Sequence, residues 1–258
     1  MGKCKLCLQE KQLLKKSHII PDFMYQDLYD DKHKIFFLSP YERLKGEGYI
    51  KRPSSGEYES NILCADCDNV LLSSYEDYAR KALYGGELPA NECPTFKNFK
   101  NQHEIQFTKC TNLSYTKFKI FLLSILWRAS VSSRQFFSDI SLGPHEEIIR
   151  EMIFTGNAGD VDDYPIFFMT YVNDKTIPRD LVAQPQKRRT KDGYAINTFM
   201  INGLLFAFYI NSKTHKIPEH ILSETIKPTN EVNIIHIPPG NGWGIILGYF
   251  GLLKKSSR

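Results

Sequence analysis

The sequence predicts an α+β fold in two parts. A zinc-stapled module spans residues 1–90, and an α+β domain with an antiparallel sheet spans residues 91–258. Three observations predict it. All six cysteines lie between Cys4 and Cys110, and four of them form two C-x-x-C pairs, Cys4/Cys7 and Cys64/Cys67. Helical periodicity runs through residues of about 114–155. From about residue 164 to 250 the texture changes to short β-rich runs separated by turn residues.

Taken in order, the first element is the cysteine set. A C-x-x-C turn presents two thiolates to one ion, and Zn²⁺ takes four such ligands at tetrahedral geometry. The two pairs are therefore read as one structural zinc site, although 56 residues separate Cys7 from Cys64. A redox role would want C-x-x-C after a strand in a βαβ context, which Cys4 lacks. Residues 45–60, rich in Gly, Pro, Ser and charge, read as an exposed loop or hairpin. Residues 69–84 lack Gly and Pro and set Val70, Leu71, Tyr75, Tyr78, Ala79 and Ala82 on one helical face, stopped by Gly85-Gly86. Residues 88–111 read as a crossing segment, with Cys93 and Cys110 as buried thiols.

Ser114 is then the cap of a strong helix through Phe118, Phe121, Leu122, Ile125, Leu126 and Ala129. A second helix starts at Pro144, with Glu146 and Glu147 where the dipole favours acids. Strands are expected over 165–172, 194–201, 204–210, 232–237 and 243–249, with Asn202-Gly203 as a two-residue hairpin turn. Trp127-Arg128 and Trp243 read as core or interface. The run Lys187-Arg188-Arg189-Thr190-Lys191 reads as a solvated loop, with phosphate contact as the alternative.

The composition excludes several classes. With 42% apolar and 24% charged residues in 258, the chain is not disordered throughout. A net charge of +4 permits a nucleic-acid partner without arguing for one. There is no apolar core of a secretory signal, and the longest apolar run, residues 118–127, is broken by Lys119 and Ser124. The expectation is a cytoplasmic chain with no membrane partner, whose cysteines are thiols or metal ligands. No phosphate-binding glycine loop is present, and His103, His145, His215, His220 and His236 lack partners at ligand spacing.

The residues around the cysteines sharpen this. Ser17-His18-Ile19-Ile20-Pro21 follows the first pair, and Asn61-Ile62-Leu63-Cys64-Ala65-Asp66-Cys67-Asp68-Asn69 contains the second. This ordered set resembles the zinc-bound HNH endonucleases, the treble-clef or ββα-metal (His-Me finger) family, over roughly Cys4 to Leu83. Their pattern is C-x-x-C, D-H-I-I-P, then N-L-x-x-L-C-x-x-C followed by His or Asn and a helix. The resemblance implies a DNA endonuclease with His18 as general base and Asn61 bracing the ββ loop. It also implies a catalytic Mg²⁺ or Mn²⁺ held by the acid before the base and by the residue after the second pair. Here the acid is replaced by Ser17, and Asp68 stands where His or Asn is usual. We read Asp68 as metal ligand, helix cap or both, with Asn69 or Glu76 assisting and Ser17 bonding a metal-bound water or a phosphate. Proteins resembling this arrangement occur in bacterial anti-phage defence, sometimes beside an ATPase partner. RNA is the less favoured substrate. The competing reading is a catalytically inactive treble clef that docks nucleic acid or protein.

Overall fold

The computed structural model describes residues 1–39, 50–190, 192–210 and 216–249. Lys191 of the basic run, His215 and the first part of the expected loop, residues 45–49, lie outside the described residues.

The chain opens with a short ribbon, β1 (Gly2–Lys3) against β2 (Glu10–Lys11), whose turn carries Cys4 and Cys7. A second ribbon pairs β3 (Ser17–His18) with β6 (Tyr58–Glu59), register Ser17↔Glu59 and His18↔Tyr58. Between them lie β4 (Phe36–Leu38) and β5 (Ile50–Lys51). The second C-x-x-C enters a helix of two textures, π-helical over Asp66–Leu72 and then α1 (Ser73–Tyr84). Gly85 ends it at φ 86°, a conformation only glycine adopts easily.

The segment expected to cross the molecule forms a hairpin instead, β7 (Thr95–Lys100) with β8 (Gln106–Thr111). Helix α2 (Tyr115–Val131) follows, and it is buried around most of its circumference. Ser114 makes no side-chain cap; the Tyr115 N–H is instead taken by Asn230 Oδ1 at 2.9 Å, from a remote turn. Helix α3 (His145–Thr155) ends on Gly156 in the left-handed region at φ 72°.

The remaining strands are β9 (Ile166–Thr170), β10 (Leu181–Arg189), β11 (Ala195–Ile201), β12 (Leu204–Ile210) and β13 (Val232–His236). They assemble one nine-stranded sheet in the order β5-β4-β10-β11-β12-β9-β13-β8-β7. It is antiparallel except for β4 with β10 and β9 with β13. Asn202 and Gly203 both take positive φ, as a tight β11–β12 hairpin requires. Two corrections concern this half. The basic residues Lys187, Arg188 and Arg189 belong to β10 and not to a loop. Residues expected as the last strand form a helix, α5 (Gly242–Tyr249), after a short α4 (Glu219–Leu222). Its first turn closes through the Ile245 N–H donating to Asn241 O.

The sheet separates two cores. On one side a continuous buried cluster runs from Cys4 and Leu63 through Phe121 and Trp127 of α2 to Phe199 and Phe208 of the sheet. On the other side Tyr171, Ile177, Met200 and Ile246 form a smaller cluster. Helix α2 therefore packs between the cysteine module and the sheet. Among the described residues no helix is long and apolar enough to cross a membrane.

Candidate metal centre and adjoining cleft

The two C-x-x-C pairs meet. Backbone pairing brings them together: the Lys5 N–H donates to Ile62 O, the Leu14 N–H to Leu63 O, and Leu13 bridges Cys64. As a result the Sγ atoms of Cys4, Cys7, Cys64 and Cys67 all lie within 4.8 Å of one another. Cys7 and Cys64 Sγ are 3.9 Å apart. A tetrahedral ion with Zn–S bonds of 2.3 Å wants sulfur pairs ~3.8 Å apart, so the spacing fits zinc.

The electrostatics fit as well. Burial alone would raise the Cys4 thiol, but backbone N–H groups of Cys7, Cys64 and Leu6 outweigh it and bring it down to about 7. Burial and the neighbouring Cys4 charge push Cys67 strongly upward. Four thiols crowded this way cannot all ionise alone, whereas a divalent soft cation satisfies all four. Cys110 stands apart, its thiol pushed up to about 12 by burial, and Cys93 is exposed.

Next to this cluster lies a cleft of about 350 Å³. The strand residue His18, Asp22 in the following turn, Asp68 and Asn69 just after Cys67, Glu76 of α1 and Arg128 of α2 line it. The ribbon and the turn after it thus supply the imidazole and Asp22, and the helix supplies Asp68 and Glu76. Burial lowers the His18 pKa below its ordinary value; Asp22 opposes this while Lys16 and Arg128 reinforce it. The imidazole is therefore neutral near pH 7, with Asp22 Oδ1 3.9 Å from Nε2. Burial raises Asp68, against the pull of Arg128, and the neighbouring Glu76 charge adds to the rise. The Ser17 hydroxyl lies close enough to favour the charged carboxylate. Yet Ser17 is 1% exposed and no hydrogen bond of ordinary geometry satisfies its Oγ.

Arg128 is the residue that sequence reasoning missed. It donates from Nη1 to His18 O at 2.8 Å and from Nη2 to Glu76 Oε1 at 2.7 Å. It is 1% exposed and sits on α2, outside the cysteine module. Nothing in Trp127-Arg128 distinguishes a cleft arginine from a snorkelling one; the signal was only a charge inside an apolar helix. Glu59 joins the two regions similarly, accepting from Ser132 Oγ and from the Ser133 N–H and Oγ.

The structure therefore brings Ser17, His18, Asp68 and Asn69 together. It does not bring Asn61 with them. Asn61 is exposed, at φ 60°, and its backbone N–H donates to Leu14 O. Among the described residues, no three imidazole or carboxylate ligand atoms of the cleft gather at metal-binding spacing. In comparisons with known proteins, no family model, no curated protein and no solved structure matches the chain.

Proposed function

We propose that the chain is a zinc-stapled, metal-dependent endonuclease of the HNH type that hydrolyses phosphodiester bonds of DNA. One observation carries the reading: a neutral histidine on a two-stranded ribbon faces a cleft shared with the residues that follow the second C-x-x-C. Two short ribbons ahead of a helix, with four cysteines close enough to hold one ion, support the reading.

In this reading His18 takes the proton from the attacking water, a role suited to an imidazole that is neutral at pH 7. Asp68 and Asn69 would hold a hard divalent ion, Mg²⁺ or Mn²⁺, and Ser17 would bond a water or phosphate oxygen beside it. Bound there, such an ion supplies the charge that stabilises the leaving 3′ oxygen. Arg128 keeps the His18 main chain fixed against α2. The second reading, an inactive treble clef that docks nucleic acid or protein, is favoured by one feature. Ser17 replaces the expected acid, so the position before His18 offers no carboxylate.

The test incubates the zinc-loaded chain with supercoiled plasmid, single-stranded DNA and RNA in Mg²⁺ or Mn²⁺, with His18→Ala and Asp68→Ala in parallel. The nuclease reading expects DNA cleavage that disappears in both variants. Cleavage that persists in His18→Ala would sink the assignment of the base. Binding of zinc alone, with no second and weaker divalent ion, would favour the docking module.

A further inference from the structure

A second cleft, also about 350 Å³, opens where β10 and β11 meet the start of α3. Lys187, Arg189 and His145 line it with the small residues Gly143 and Ala195, and among the described residues no carboxylate does. Lys187 and Arg189 occupy alternate positions of β10, so both project from one sheet face, opposite Asn197 and Ala195 of β11.

Among the described residues neither cation has an ion-pair partner. Lys187 Nζ donates to Ser141 O at 2.7 Å and Arg189 Nη1 to Gly193 O at 3.0 Å. A carbonyl oxygen orients each group but does not neutralise it. The Lys187 charge is close enough to His145 to add to burial in disfavouring a proton there. The eleven-residue helix α3 begins at this cleft, with its first-turn Glu146 accepting from Ser130 and Glu147 paired with Arg150.

Asn197 lies across the ladder from Lys187. It is 0% exposed, yet neither its Nδ2 nor its Oδ1 has a hydrogen-bond partner. It is not itself part of the cleft lining. Two cations in one cleft that no described carboxylate lines call for a compact anion with several acceptor oxygens. Arginine's planar fork matches phosphate oxygens in pairs, and lysine adds a point charge.

We propose that this cleft is a phosphate site in which Lys187 and Arg189 hold a phosphate group at the start of α3. It shares no residue with the cleft at His18 and does not depend on the nuclease reading. The same chemistry is offered by the backbone of a nucleic acid and by a free phosphate, and the experiment separates them.

The full-length zinc-loaded chain and the variant Lys187→Gln/Arg189→Gln are compared after confirming equal thermal midpoints. Inorganic phosphate is titrated while the amide signals of Gly143, His145 and Ala195 are followed by NMR. A fluorescent DNA 20-mer is titrated by anisotropy at several salt concentrations. Saturable shifts in the wild type that vanish in the variant are expected. If the backbone is the source, affinity for duplex DNA falls about tenfold and the salt slope drops by about 1.8, for two lost phosphate contacts. If free phosphate is the source, the shifts vanish while DNA binding is unchanged. Amides that do not move with phosphate, or move equally in the variant, overturn the proposal. His18→Ala should keep the phosphate shifts whatever it does to cleavage, so the two readings fail separately.

Discussion

Replacing Arg128 by Met tests whether α2 holds the cleft together. The side chain is 1% exposed and makes four donations: to His18 O, to Glu76 Oε1, to Ser124 Oγ at 3.2 Å and to Ser124 O at 3.3 Å. Methionine fills similar space but strands the Glu76 carboxylate, whose side chain is only 24% exposed, and leaves the His18 carbonyl without its donor. Breaking a buried pair from one side costs about 3–5 kcal/mol. The partial exposure of Glu76 screens its loss and places the effect near the low end, about 3 kcal/mol. For a chain of this size that lowers the thermal midpoint by about 6–12 °C. Urea unfolding of the zinc-loaded protein gives the free energy directly. Adding Glu76→Gln removes the stranded charge, so the double variant should regain a substantial part of the loss. A single variant within about 0.5 kcal/mol of wild type would refute the reasoning, as would a double variant whose loss equals the sum of the singles.

Lys119 is fully buried and its pKa is brought down to about 8 by burial, against the pull of Asp163, Asp160 and Asp162. Below pH 8 both folded and unfolded chains carry the proton, and the folded state bears a penalty on the order of 3 kcal/mol. Between about 8 and the ordinary 10.5 the unfolded chain binds more protons, so this residue's contribution to stability rises with pH. Subtracting the pH profile of Lys119→Met from that of wild type should show that rise, and parallel profiles would contradict it. Gly56→Ala places a Cβ 2.2 Å from the ring of Tyr25, which is fully buried and stacked on Phe37, so a loss of about 1–3 kcal/mol is expected in urea unfolding. In the native protein a disulfide-exchange thiol reagent should label Cys93 promptly and leave Cys110, held at about 12, unlabelled until unfolding.

Much of the cleft was legible because chemistry constrains it tightly. Thiolates placed in C-x-x-C turns must converge to be useful, and His18, Asp68 and Asn69 line one cleft with Ser17 beside Asp68. The Asn202-Gly203 hairpin was legible for a similar reason, since few residues tolerate its backbone. Other elements were hidden. Strand β7 is exposed along its whole length at the sheet edge, so Thr95–Lys100 shows no buried alternation. Strand β10 carries Pro185, tolerated because the ladder shifts register between Ala183 and Gln186, and ends in charge. The last helix is a short run of Trp, Ile and Gly, whose composition imitates a buried strand. Arg128 was invisible because its partners, His18 and Glu76, are 110 and 52 positions away.

The claim on which the rest stands is that Cys4, Cys7, Cys64 and Cys67 hold one zinc ion. Metal analysis of the purified full-length chain, paired with a count of reactive thiols before and after chelation, tests it most directly. The account predicts one zinc per chain, with those four thiols protected until the metal is stripped and the Cys64→Ser variant losing most of its zinc. A folded chain that carries no zinc and leaves Cys7 freely reactive would contradict it, and the nuclease reading would lose its scaffold.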